Sequence, residues 1–436
     1  MKRDLIDLRY FVKLLSKNRR IRIVNTPMDI DSIPSILLIF EKEKKAVLFK
    51  NIIDRKGSLI SNILGGREFL SIAFGCDKED LLDEYIKRIK NPLAPQITSY
   101  GPCQEVIETG SKLDVRSLPA LIHCEKDAGP YITAGIAIAK DPETGIRNVS
   151  INRIQVVGPK QLLINIPQHL GIIQKKAEAM GKPLEVAIAI GNHPFELIAA
   201  ASKPPFGVDE FEISGALRQV PLELVPCKTL SIEVPAYVEL VLEGEILPNK
   251  RKKEGPFGDF MGYYVPATMS HVFQLKAMTY RKNFIFQAIK AGSLEDKHLL
   301  SLPREALIYS SLIEKGIHVY SVSLHTMLFN CFISIKKHHN DEVKEVIHTA
   351  FETFPWLKYC VVVDHDVDIL DSKDVWWAIA TRNSPEKGTI LIKDSPGFYR
   401  DPFGIHQSKM GIDATIPFGQ WKEFERTKTF LNAKNI

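Results

Sequence analysis

Along the first 95 or so residues the apolar positions switch between two periods. Leu5, Leu8, Phe11, Val12, Leu14 and Leu15 recur at roughly helical spacing, and 82-LDEYIKRIKN-91 repeats the pattern. Short β-type runs, 20-RIRIV-24 and 46-AVLFK-50, lie between them. This predicts a small α/β unit ending at the proline-bearing stretch 91-NPLAPQ-96. From about 100 to 290 the chain reads differently. Short apolar runs bounded by Gly, Pro and Asn follow one another: 132-ITAGIAIAK-140, 149-VSINRIQVVG-158, 161-QLLINIP-167, 185-EVAIAIG-191 and 237-YVELVLEGEIL-247. Their regular spacing predicts a β-barrel or sandwich, with helices such as 171-GIIQKKAEAMG-181 inserted. A helical stripe in 304-REALIYSSLIEKG-316, closed by Gly316, leads into a third, α/β part. The expectation is a multi-domain α+β and α/β chain: an N-terminal unit over 1–98, a β-barrel domain over 99–300, a linker helix over 301–318 and a C-terminal domain over 319–436.

Composition narrows the class. Hydrophobic residues make up 45% and charged ones 25%, the balance of a soluble globular chain, and 436 residues exceed one ordinary core. The net charge of +5 is mild for this length, so a nucleic-acid partner is not expected. Six cysteines stand apart with no CxxC pair, which excludes a zinc ribbon, a redox dithiol and a disulfide framework. The charged, amphipathic start has no apolar signal core, and runs such as Ile36–Phe40 are far too short to cross a bilayer. A cytoplasmic location without membrane insertion is expected.

No P-loop, dinucleotide fingerprint, HExxH pair or nucleophile elbow occurs. Asp364, Asp366 and Asp368 imitate the opening of a calcium loop, but Ile369 and Val375 occupy its obligatory Gly and Glu positions. A strand end running into the helix cap 371-DSKD-374 is the better reading. Three segments carry more chemistry. In 148-NVSINR-153, Asn148 offers an oxygen to a hard cation, and Arg153 would leave the opposite face of the strand unless the strand bends. In 167-PQHLG-171, Gln168 and His169 fall between Pro and Gly and are expected on a loop. In 254-EGPFGD-259, two carboxylates flank a Gly-Pro-Phe-Gly turn, and Phe257 anchors that turn in a core. Paired acids of this kind separate their proton affinities, so one stays ionised while the other delivers a proton. The acidic run 209-DEFEISGALR-218 reads by itself as a solvated face or helix start.

Taken together, 127-DAGPYIT-133, 141-DPETGIRNVSINRIQ-155, 209-DEFEISGALR-218, 234-VPAYVELVLEGEI-246, 254-EGPFGDFMGYY-264 and 411-GIDAT-415 resemble the UbiD-type decarboxylases. The resemblance runs from about residue 95 to the C-terminus and is weaker before it. It implies a split β-barrel cofactor domain, a C-terminal α/β oligomerisation domain, and prenylated FMN as cofactor with a divalent metal (Mn2+ or Mg2+), K+ being a further candidate. The implied metal ligands are Asn148, His169 and Glu210. The implied cofactor contacts are Asn148, Val149, Ser150, Ile151, Asn152, Arg153, Gln168, His169, Glu210 and a lysine, Lys336 or its neighbour Lys337. The implied catalytic set is Arg153, Glu254 and Asp259, with Arg153 between the two acids and Asp259 as proton donor.

The compact form of this chain looks most like the archaeal branch that converts trans-anhydromevalonate phosphate to isopentenyl phosphate. Lys290, Lys297 and His298 are candidates for the substrate phosphate. An aromatic acid decarboxylase of the 4-hydroxybenzoate type is the alternative, and a flavin-binding protein without catalysis is the alternative from another class. Trp376 and Trp377 could stack on an aromatic ring but read more easily as part of a core helix. The implied partners are a small carboxylic acid, a flavin prenyltransferase that supplies the cofactor, and further copies of the chain in a homodimer or larger homo-oligomer.

Overall fold

The computed structural model describes residues 7–166, 168–324 and 327–427. Leu5 and Pro167 therefore lie outside the described residues. Contacts divide the chain into two units, 1–303 and 304–436. Helices over Leu8–Lys17 and Leu81–Ile89 and strands over Ile21–Val24 and Ala46–Phe49 appear where the periodicity puts them, and a further strand, Ser58–Ser61, joins them. They do not close a sheet by themselves. The fourth strand, Ile285–Gln287, comes from far along the chain and pairs in parallel with Ser58–Ser61. Val47, Phe49 and Leu59 share one buried apolar cluster with Ile132, Ile154, Phe273 and Phe286 of the following segment. Residue 98 is thus not a boundary of compactness. A four-strand unit of this size could not bury enough surface alone, and it shares the core of the larger sheet instead.

That larger sheet has nine strands, in the order 131–132, 154–156, 161–164, 268–280, 240–254, 184–190, 136–140, 147–151, with 106–109 paired alongside 268–280. Most of its pairs are antiparallel neighbours, as short alternating runs with tight turns require. Strands Leu240–Glu254 and Thr268–Tyr280 form its long spine, with irregularities at Glu243/Gly244 and between Ile246 and Arg251. Such bulges bend a sheet and add twist. The curl has a topological consequence. Arg147–Ile151 ends one side of the sheet and Ile154–Val156 lies next to the other end, yet only Asn152 and Arg153 connect them. Three peptide steps span about 11 Å at most, so the two ends of the sheet must meet. The result is a half-barrel whose open seam is bridged by the chain itself.

Helix Leu8–Lys17 is fixed to this barrel by charge as well as by its buried Leu8, Phe11 and Leu15. Arg9 holds the fully buried Glu239 through two bonds of 2.7 and 2.8 Å, and Arg281 joins Asp7 at 2.8 Å to Glu239 at 3.2 Å. In the second unit five strands lie in the order 319–323, 330–335, 359–364, 406–414, 389–396. A core of Val361, Val363, Val375, Ala378 and Ala414 forms against helix Ser372–Arg382. Asp371 caps that helix, and Asp364 and Asp366 are both bonded to Arg382, as the capping reading expects. Trp376 departs from the sequence reading: it is 67% exposed, because Val375, Ala378 and Arg382 take the inward face. The expected linker helix is also longer, running over Leu294–Glu314 with Pro303 inside it.

His193 makes the fold sensitive to acid. Burial and the charge of Arg218 hold its imidazole well below the usual range. Its Nδ1 accepts the N–H of Phe195 at 3.2 Å as the cap of helix Pro194–Ala201, and protonation would remove that acceptor. The unfolded chain takes up this proton near pH 6.5 and the folded chain does not, so the stabilisation is complete above that pH and declines as pH falls. His193→Asn keeps a capping oxygen and removes the titration. Its denaturation midpoint should start lower at pH 7.5 yet fall less steeply than wild type between about pH 6.5 and 4.5. An equally steep fall would refute the assignment.

Candidate active site

The seam places the first functional side chain. The strand ends at Ile151 and the chain turns at Asn152, which settles the facing problem posed by Asn148 and Arg153. The buried Asn152 holds the turn: its N–H reaches Gly135 O at 3.3 Å, its Nδ2 reaches Asn165 O at 2.9 Å, and its Oδ1 accepts Ser150 Oγ at 2.9 Å. Arg153 then projects from the seam towards the end of the spine strand, where Glu254 is the last residue before the turn. Its Nη2 donates to Glu254 Oε2 at 2.9 Å, and the guanidinium lies 5.4 Å from the centre of the Phe257 ring.

Glu254 is fully buried and receives two further donors, Tyr131 Oη on Oε1 at 2.9 Å and Ser270 Oγ on Oε2 at 3.1 Å. Tyr131 packs on Phe257 at 4.4 Å, so the aromatic residue of the turn does anchor it in a core. Beyond the turn, Phe257–Gly258 pairs with Tyr264–Val265, and the backbone of Asp259 closes the hairpin through its N–H to Tyr263 O at 2.9 Å. Asp259 is half-buried. Burial together with the charge of Asp259 pushes the neighbouring Asp296 up to about 6. Burial lowers His123 to about 4, and Lys290 adds to that effect. The structure brings Arg153 and Glu254 into contact as expected. Among the described residues no hydrogen bond joins Arg153 to Asp259, and the Nε and Nη1 of Arg153 are buried without a partner. The guanidinium therefore has one acid in hand and two donors unused.

Asn148 and Glu210 meet on the neighbouring part of the barrel. Glu210 opens helix Glu210–Arg218, which Asp209 caps, so the acidic run is a helix start. Its Oε2 accepts the N–H of Val149 at 2.7 Å, directly after Asn148. Burial pushes Glu210 up to about 7, and the like charge of Asp209 adds to it. Arg147, which could have offset this, is engaged by Asp209 and by Glu233 at 2.7 Å. Asn148 is 6% exposed and its Nδ2 has no partner. A buried carboxylate short of counter-charge fits a hard divalent cation with oxygen ligands, and the unpartnered Nδ2 of Asn148, a donor, suits an anionic oxygen such as a phosphate's. Gln168 and His169 depart from the loop expectation: they begin helix Gln168–Ala179, Gln168 with φ of +57°, and the His169 ring stands 5.3 Å from that of Phe206. Among the described residues no group of three His, Cys, Asp or Glu side chains gathers around a metal position. The expected ligand set contains only two such residues beside Asn148.

The remaining candidates separate. Lys336 is exposed in the C-terminal unit, whereas Lys337 is buried and donates to Thr415 Oγ1 at 2.6 Å. His298 is buried with Nδ1 3.1 Å from Leu64 O, and Lys290 acts on both His123 and Asp296. Sequence reasoning missed Tyr131, Ser270 and Asp127. Tyr131 and Asp127 lie inside 127-DAGPYIT-133, so the signal was an unexplained polar residue within a matching string. Ser270 carries no local signal, because only the register Lys252↔Ser270 brings it beside Glu254.

Three family models match in chain order: the N-terminal domain of 3-octaprenyl-4-hydroxybenzoate carboxy-lyase over residues 12–89, its Rift-related domain over 96–294 and its C-terminal domain over 297–414. The chain is 34% identical to an anhydromevalonate phosphate decarboxylase of Methanothermobacter thermautotrophicus, over 89% of this chain and 92% of that one. It is 33% identical to a protein of the same name from Methanosarcina mazei, over 96% and 98%. The UbiD-class enzyme HmfF of Pelotomaculum thermopropionicum, solved in complex with FMN, superposes with a TM-score of 0.94 at 36% identity, over 99% and 98% of the two chains. An evolved dimeric form of that enzyme, in complex with prFMN, gives 0.90 at 36% identity, over 99% of each chain.

Removing one side of a buried ion pair costs more than removing both. Arg153→Met should lower the unfolding free energy by roughly 3 kcal/mol at pH 7, because Glu254 is left buried without its counter-charge. The double variant Arg153→Met/Glu254→Gln should recover most of the loss in urea denaturation. A double variant as unstable as the single one would show that the pair is not the source.

Proposed function

Because the chain belongs to the UbiD family of decarboxylases, we propose that it is a prenylated-FMN-dependent carboxy-lyase that converts trans-anhydromevalonate 5-phosphate to isopentenyl phosphate. The observation that carries the chemistry is the Arg153–Glu254 pair: a buried cation held by one acid, with two donors unused, beside a hairpin that presents a second acid. The substrate is supported by two relatives named for this activity, each about a third identical over most of its length.

Loss of CO2 leaves an electron pair that must finish as a C–H bond, so one proton has to be delivered to the carbon that bore the carboxylate. Prenylated FMN, when bound, supplies the electron sink that such a carbon lacks. Asn148 and Glu210, with His169 as third ligand, would hold Mn2+ or Mg2+, whose charge would compensate that of a flavin phosphate. A cation bound there would offset the burial that pushes Glu210 up to about 7. Both oxygens of Glu254 are already taken by donors, which fixes it as an acceptor and orients Arg153. The unused Nε and Nη1 of Arg153 then bind and orient anionic or carbonyl oxygens entering the site. Asp259, on the hairpin and not in that ion pair, gives the proton. Lys290 is the cation placed to favour an anionic substrate near Asp296 and His123. Cofactor supply by a flavin prenyltransferase and assembly as a homo-oligomer belong to the same reading.

Product analysis tests it. The chain, co-expressed with a flavin prenyltransferase, is offered trans-anhydromevalonate phosphate and 4-hydroxybenzoate in parallel under anaerobic conditions. Isopentenyl phosphate should form and phenol should not. Phenol alone would keep the family chemistry and overturn the substrate. Asp259→Asn should retain its flavin and lose at least about a hundredfold in turnover. Wild-type turnover in that variant would remove the proton-donor role.

A further inference from the structure

The hairpin carrying Asp259 is too small to hold its own shape. Its ladder consists of two pairs, Phe257↔Val265 and Gly258↔Tyr264, and an isolated two-stranded ribbon is marginal in water. What fixes it comes from a segment more than a hundred residues away. Asp127 Oδ2 accepts the N–H of His123 at 3.0 Å and of Cys124 at 2.9 Å, while Oδ1 accepts the N–H of Gly258 at 2.8 Å. The N–H of Ala128 donates to Pro256 O at 3.0 Å. Gln155 touches both sides, accepting the N–H of Gly255 at 3.3 Å and donating to Ala128 O at 3.2 Å. Approach is so close that a Cβ on Gly258 would lie 2.6 Å from Cys124 Sγ.

We propose that Asp127 is a positioning residue for the proton transfer: its carboxylate ties Gly258 to the 123–127 turn and so sets where the adjoining Asp259 carboxyl stands. The inference rests on the reading of Asp259 as proton donor. A carboxylate suits the task because two oxygens accept three N–H groups arriving from two directions, and charge strengthens each bond. An amide offers one accepting oxygen, so Asn can serve one direction and turns its own N–H groups towards the other. Misplacing a reacting group by about 1 Å costs on the order of a hundredfold in rate. Among the described residues the hydrogen bonds of Asp127 all come from backbone N–H groups and none from Arg153 or Lys290, so the larger share of the penalty should fall on kcat.

The test compares wild type, Asp127→Asn and Asp127→Ala by peptide-level hydrogen exchange without substrate, and by kcat, KM and flavin content of the loaded enzymes. Exchange over 254–265 should accelerate roughly tenfold or more in the Ala variant, with Asn between, while the rest of the barrel keeps its protection. The kcat should fall about tenfold to a hundredfold, KM should stay within about threefold, and flavin content should not change. Unchanged exchange over 254–265 in the Ala variant would refute the clamp, and a loosened hairpin with undiminished kcat would refute the positioning role. If the Ala variant does not fold, the Asn variant decides both points. The exchange readout needs no substrate, so it stands whichever acid is turned over. Full activity in Asp259→Asn, by contrast, removes the donor reading and with it the positioning role.

Discussion

A length constraint governs this molecule: Asn152 and Arg153 alone connect strands from opposite ends of one curled sheet. Two residues cannot reach across a flat sheet of that width, so the half-barrel and the bridge imply one another. The site follows from the bridge. Arg153 leaves the seam facing the end of the long spine strand, where Glu254 is buried, and Asn148 stands at the end of the same short run. Everything that holds the seam, from the Asn152 bonds to the shared apolar core, therefore holds the chemistry as well. The N-terminal strands belong to the same account, since they share that core and take their fourth strand from 285–287.

The barrel interior supports charge at two places, and it does so in different ways. At Glu254 the burial of a carboxylate is offset by one guanidinium and two hydroxyls, so the acid is satisfied inside the protein. At Glu210 it is not: backbone N–H groups reach the carboxylate but no cation does, and the nearby arginine is engaged elsewhere. The first arrangement positions a cation, and the second leaves a deficit that a metal ion and a phosphate would fill. On the proposed function, the satisfied acid would orient a reactant and the unsatisfied one would help hold a cofactor.

Much of this was legible beforehand where the information is local. The helical stripe through Leu8–Leu15 and the turn in 254–259 depend on neighbours a few residues apart, and the structure has them as read; of the two readings of 209–218, solvated face or helix start, it has the helix start. Readings failed where a distant contact decided. Gln168 and His169 were placed on a loop because Pro and Gly flank them, yet the helix starts on Gln168 itself. The apolar setting of Trp376 reads as a helix packed in the core, yet helix register turns Val375 and Ala378 inward and leaves Trp376 exposed. Ser270 gave no reason to be singled out, because only strand register brings it beside Glu254, and the contact of Asp127 with Gly258 spans 131 residues.

The sequence alone determined the element types, the two kinds of segment and the strings that place the chain in its family. These rest on periodicity and on residue chemistry read in order. The tertiary structure alone decided that the first segment shares the barrel core, that among the described residues Arg153 bonds only one of the two expected acids, and that Asp127 bonds the hairpin at Gly258. Sheet order and register set these facts, and register is fixed by packing between strands remote in sequence, which no local pattern records.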